Sequence, residues 1–213
     1  MITPKSNNKA IALERELQAL KAISTNGCLT TRCVGLWVYS ANSEHVAINK
    51  VQQCLKRLEL KKEVLKRTSV KGIAAWVLTR KGADRVNAAL EGEGYRGYAH
   101  HGYDIGMLAW PRQMVVADHL AKKLKEPKTI GAVGAAGIRA GIGGPTLGDC
   151  DGFYFTENPS DRSTYTVTGV LAVLNAREGI QRKLKLLLKR NVKIDLVGDP
   201  CVVATLRKRT SVD

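Results

Sequence analysis

The chain has 213 residues, long enough for one large domain or two small ones with a real core. Lys and Arg number 34 against 19 Asp and Glu, a net charge of +15; a surplus of that size points to an anionic polymer or surface as partner, nucleic acid first. No apolar run approaches the roughly 20 residues of a membrane span, and MITPKSNNKA lacks the apolar core of a secretory signal, so a cytoplasmic protein without a membrane partner is expected.

The charge is spread along the chain. There are 16 basic against 7 acidic residues through Glu91, and 18 against 12 after it, which rules out a neutral domain with a charged tail. The five cysteines, Cys28, Cys33, Cys54, Cys150 and Cys201, include no CxxC pair. They read as small, reduced core residues rather than zinc ligands.

In chain order, Ile11, Leu13, Leu17, Leu20 and Ile23 recur at helical spacing, and Asn26-Gly27 ends that helix. Thr30 or Thr31 caps a short second helix through TRCVGLWVY. Ser43 opens a third, with Val46, Val51, Leu55 and Leu58 inward and His45, Asn49, Lys50, Gln52, Gln53, Lys56 and Arg57 outward. EVLKRT and IAAWVLT read as strands joined by a hairpin at Ser69 to Gly72, and Thr79 caps the helix RKGADRVNAAL. Helix, helix, helix, hairpin, helix is the order of a winged helix-turn-helix, and AWVLTRKGADRV resembles the passage by which such domains leave the wing. The expected division is a winged-helix DNA-binding domain over residues 1–92 and a small α/β domain over 93–213, with EGEGYRGYAHHGY as linker.

In such a motif the second helix enters the major groove. Asn49, Gln52 and Gln53 then suit adenine edges, Lys50 and Lys56 suit guanine or phosphate, and His45 and Arg57 share the face. Lys66, Arg67 and Lys71 of the wing suit backbone phosphates or the minor groove.

The second half reads as a helix near Asp104 to Leu124, a Gly-rich loop from Thr129 to Gly148, and strands at Gly152 to Thr156 and Thr164 to Leu174. A basic helix at Glu178 to Arg190 and strands at Val192 to Val197 and Cys201 to Leu206 complete an α/β domain. GAVGAAGIRAGIGGPTLG has no Lys-Ser/Thr after its glycines and misses the dinucleotide spacing, so a surface loop is expected. REGIQRKLKLLLKRNVK is amphipathic; it suits a membrane surface, or a helix packed on the sheet with its basic face on DNA.

Four features carry a family resemblance: His101 and Asp104 in HGYDIGML, Asp151-Gly152 in DCDGFYF, the strand VLAVLNAR, and the basic helix after it. With the winged helix before them, they resemble the replication-relaxation proteins and a related group of mobilisation relaxases. That resemblance implies a plasmid or mobile-element protein with a restriction-endonuclease-like second domain. It further implies a magnesium site that holds Asp104 and Asp151, in which Glu178 and Lys183 would have to stand in for the acid and the lysine of the second strand. The sequence departs from the pattern where the second strand should bring an acid and a lysine. Val173 to Arg177 offers only apolar residues, Asn175 and Arg177, and a neutral amide oxygen does not replace a carboxylate at a divalent metal.

The expected function is therefore sequence-specific binding of duplex DNA, as a regulator or as an accessory factor in replication or conjugative transfer, with no cofactor. A homodimer on a palindrome and contacts with other relaxosome or replication proteins go with it. The alternative is a magnesium-dependent nicking nuclease.

Overall fold

Pro4 to Asn26 form one 23-residue helix, α1, and among its described side chains the buried ones begin at Glu16. Leu20 and Ile23 enter the core, whereas Ile11 and Leu13 stay exposed. The computed structural model describes residues 4–69, 72–92, 110–174 and 178–210. The chain divides into two compact units, Met1–Leu108 and Ala109–Asp213; Glu91 and Gly92 of the expected linker are helical, and the rest of it and the start of the helix near Asp104 fall in 93–109, outside the described residues.

Gly27, at φ 84°, ends α1 as Asn26-Gly27 predicts. The Thr30 side chain accepts a hydrogen bond from the Cys33 amide at 3.2 Å and starts α2, Thr31–Val38. α3 runs Glu44–Leu60 after Ser43. A Cβ on Gly35 would lie 3.1 Å from the Ala47 carbonyl oxygen, so glycine allows α2 and α3 to cross this closely. Ala47, Val51, Cys54, Leu55 and Leu58 are fully buried, whereas Val46, expected inward, is 39% exposed. The inward stripe passes one residue later, through Ala47, whose backbone Gly35 approaches.

β1 (Val64–Thr68) and β2 (Ala74–Leu78) form the expected antiparallel hairpin. Leu29 extends it by a single bridge, exchanging backbone hydrogen bonds with Trp76 at 2.8 and 3.1 Å. α4 (Arg80–Gly92) starts at Thr79, whose hydroxyl accepts from the Gly82 amide and donates to the Lys62 carbonyl. Any side chain on Gly82 would sit 2.0 Å from the Glu63 carbonyl oxygen, so only glycine lets α4 press onto the start of β1.

The second unit is a four-stranded mixed sheet in the order β3-β4-β5-β6: Thr129–Val133, Gly152–Asn158, Asp161–Val173 and Lys193–Gly198. The first two pairings are antiparallel and β5–β6 is parallel, which demands a crossover, and the chain spends α8 (Glu178–Lys189) on it. α5 (Trp110–Lys123) covers one face, where Val116 and Leu120 crowd Gly152. α8 covers the other, packing Leu187 with Phe153, and Ile180 and Leu184 with Leu171, Val173 and Leu196.

Two sequence expectations for this unit are corrected. The Gly-rich segment is no open loop: it holds β3, α6 (Ala135–Arg139) and α7 (Gly144–Leu147), and Ile138 and Leu147 are buried against Phe153. Gly141, Gly143 and Gly144 all have positive φ, so the glycines build a tight turn between two short helices. The last strand is instead a helix, α9 (Pro200–Thr210). The Asp199 carboxylate accepts from the Cys201 and Val202 amides at 2.9 and 3.2 Å with Pro200 in the first turn, and this start signal outweighs the β-branched pair behind it.

Candidate functional site

The outward face of α3 is a long polar surface. Its buried residues all lie on one side, so the positions between them must meet solvent. His45, Asn49, Lys50, Gln52, Gln53, Lys56 and Arg57 are all exposed. His45, Asn49, Gln52, Gln53 and Lys56 follow one another at spacings of three, four or one residue and form a continuous ridge. The Asn49 amide lies 3.0 Å from the His45 ring nitrogen, and Lys50 stands 5.7 Å over the Tyr39 ring. Gln52 and Gln53 carry donor and acceptor atoms outward.

Arg57 differs from the rest of the face because it is bound within the unit. Glu16 of α1, only 2% exposed, accepts from Arg57 Nε at 3.1 Å, Lys61 Nζ at 2.6 Å and Arg85 Nη1 at 3.5 Å. Arg85 also reaches Glu63 at 2.6 Å. Burial pushes the Glu16 carboxyl up, but hydrogen bonds from Lys61 and Arg57 and the charges of Lys61 and Arg85 hold it below its ordinary value. Three cations around one buried carboxylate tie α1, α3 and α4 together, which fixes the angle at which α3 presents its ridge. Of the wing cations, Lys66 is exposed, with Nζ 5.9 Å from the Trp76 ring, and Arg67 is half-buried. Lys71 lies outside the described residues.

In the second unit, Asp151 sits just before β4 and is 14% exposed. Its Oδ2 accepts from Arg112 Nε at 3.0 Å, Arg112 Nη2 at 2.7 Å and the Ala172 amide at 2.9 Å. The positive charge beside Asp151 is thus a guanidinium, and the pair clamps α5 to the start of β4 and to β5. Asp149 pairs with Arg190 at 3.0 Å, and Lys183 Nζ donates to the Asp149 carbonyl at 3.4 Å. His101, Asp104, Asn175, Arg177 and the Glu178 side chain lie outside the described residues. Among the described residues, no three His, Cys, Asp or Glu side chains gather where one metal ion could share them. Arg112 and the Ala172 amide thus share one carboxylate oxygen of Asp151.

A second polar cluster was not foreseen from the sequence. His119 of α5 lies 3.0 Å from Asp195 Oδ2, and the Tyr154 hydroxyl donates to the same oxygen at 2.9 Å. The hydrogen bond to His119 lowers the Asp195 carboxyl against the opposing effect of burial, and Tyr154 adds to the lowering. Beside it, at the C-terminal ends of β5 and β6, lies a cavity of about 290 Å³ lined by Val115, Asp118, His119, Lys122, Leu174, Val197 and Gly198. The His119–Asp195–Tyr154 contacts join α5 to β4 and β6 of the sheet. Its signal in the sequence is faint: Asp195 stands between Ile194 and Leu196 in the short strand KIDLVG.

Fold and surface together define a mixed α/β protein of two compact units, in which no described helix is long and apolar enough to cross a membrane. Comparison with protein-family models, with curated proteins and with solved structures found no match.

Proposed function

We propose that this chain is a duplex DNA-binding protein whose first unit is a winged helix-turn-helix, with α3 as the helix that enters the major groove. The observation that carries the reading is the outward ridge of α3. It combines three side-chain amides with lysines on a helix whose opposite face is wholly buried. Amides suit adenine edges, and lysines suit guanine or phosphate. The three helices, hairpin and fourth helix support the same reading, as does the net charge of +15. The β1–β2 hairpin, with Lys66 and Arg67, is then the wing over the adjacent backbone.

The role that fits such binding is regulation, or accessory service in replication or transfer of a plasmid or other mobile element. Arg112 on Asp151 supports binding over cleavage. The test is selection from a random duplex pool by the full chain: recurrent enrichment of one sequence supports the reading, and a pool left unenriched after repeated rounds contradicts it. Supercoiled plasmid carrying the selected site, incubated with magnesium or manganese, should stay intact, and nicking that Asp151→Ala abolishes would restore the nuclease alternative.

A further inference from the structure

We infer that α8 carries a second nucleic-acid surface, a ridge of Arg182, Lys185 and Lys189 that tracks the phosphate backbone of duplex DNA without reading its sequence. The inference deepens the proposed function and rests on it for the identity of the ligand.

The two sides of α8 have opposite duties. Ile180, Leu184 and Leu187 are buried beneath the sheet. Arg182, Lys185 and Lys189 recur at three and four residues on the opposite side, all exposed, and with Gln181 and Leu186 they line a groove of about 530 Å³. At about 1.5 Å per residue the three cations span about 10 Å. Ten ångströms of duplex carry about six phosphate charges.

The charges of this unit are unevenly matched. Asp118 pairs with Lys122, Glu126 with Lys123, Asp149 with Arg190 and Asp151 with Arg112. Among the described residues the three ridge cations have no acidic partner. Aligned like charges repel one another, and an external polyanion relieves that repulsion. An anionic membrane is the competing polyanion, but a helix lying in a membrane needs its apolar face free. Here that face is spent on the sheet core, and Leu186 alone of the apolar residues on α8 is exposed. The backbone of DNA asks for cations alone.

The experiment measures affinity of the full chain for a random-sequence duplex of about 30 base pairs, from about 50 to about 200 mM salt, by fluorescence anisotropy. Losing three phosphate contacts should lower the slope of log affinity on log salt by about 2.7 in Arg182→Gln/Lys185→Gln/Lys189→Gln, so the fold loss across that range shrinks about forty-fold. Lys185→Glu alone should also flatten the slope, and circular dichroism should show both variants folded. An unchanged slope in both variants overturns the ridge, whatever variants of α3 do. A flattened slope, with α3 variants Gln52→Ala and Gln53→Ala indistinguishable from wild type on selected DNA, keeps the ridge and sinks the α3 reading. A wild-type chain that does not bind the duplex at all overturns both. Vesicles rich in phosphatidylserine should bind the triple variant and wild type alike; vesicle binding lost in the triple variant with an unchanged duplex slope would assign the ridge to lipid and overturn the proposal.

Discussion

Glu16 is the residue on which the first unit turns. Its carboxylate is buried among three cations, yet Arg57 and Lys61 keep 44% and 40% of their side chains in water. Glu16→Gln therefore leaves cations that can rehydrate, and the loss should be about 1–3 kcal/mol rather than the larger cost of stranding a sealed charge. Urea unfolding followed by tryptophan fluorescence measures it. Glu16 and Asp195 both titrate below their ordinary values in the fold. A carboxyl held low adds stability above its unfolded pKa, near about 4, and loses it as pH falls through the native value. Melting temperature should hold steady from about pH 8 to about pH 5 and drop below about pH 4, and Glu16→Gln should soften that drop. Cysteine chemistry offers a second check at this scale. Burial pushes Cys54 up to about 11 and Cys150 up to about 12, and Cys28 and Cys33 are buried too. Cys201, expected in the core, is exposed because it stands in the first turn of α9. A thiol reagent on the native protein should modify Cys201 alone, and all five after unfolding, as mass spectrometry would count.

At the scale of elements, the first unit was legible because its punctuation is local. Thr30, Asn26-Gly27 and Thr79 announce helix ends through short-range hydrogen bonds or glycine conformation, and the structure puts the ends there. The second unit was less legible because tertiary contacts decide it. β3 is five residues long, holds Gly131 within it, and pairs with β4, which is twenty or more residues away in sequence by its partner positions. CVVATL alternates like a strand until Asp199 caps it as a helix. The exposed ridge of α3 could be read from helical periodicity, whereas Arg112, Glu16 and the His119–Asp195 contact join residues 39 to 76 positions apart, which no local pattern reveals. The packing of α4 gives the prediction at this scale. Gly82→Ala should destabilise by about 1–3 kcal/mol, since the methyl group meets a backbone carbonyl that has nowhere to go. Gly92→Ala, at the open end of the same helix, should change stability by less than about 0.5 kcal/mol in the same denaturation experiment.

For the whole molecule, the net charge of +15 resolves into committed and uncommitted cations. Arg57, Lys61, Arg85, Arg112 and Arg190 are committed to acids that hold helices in place. The outward lysines of α3 and the ridge of α8 face solvent, one on each unit. On the proposed reading, α3 supplies sequence preference, and affinity owes much to counterion release at both surfaces. Base readout and phosphate contact are separable quantities, so the central claim can be isolated. The measurement is the ratio of affinities for a selected duplex and its scrambled counterpart, in wild type and in Gln52→Ala/Gln53→Ala. At about 1–3 kcal/mol for each lost bidentate base contact, the ratio should fall at least about tenfold while the salt slope stays that of wild type. A ratio that survives the double substitution would contradict α3 as the reading helix.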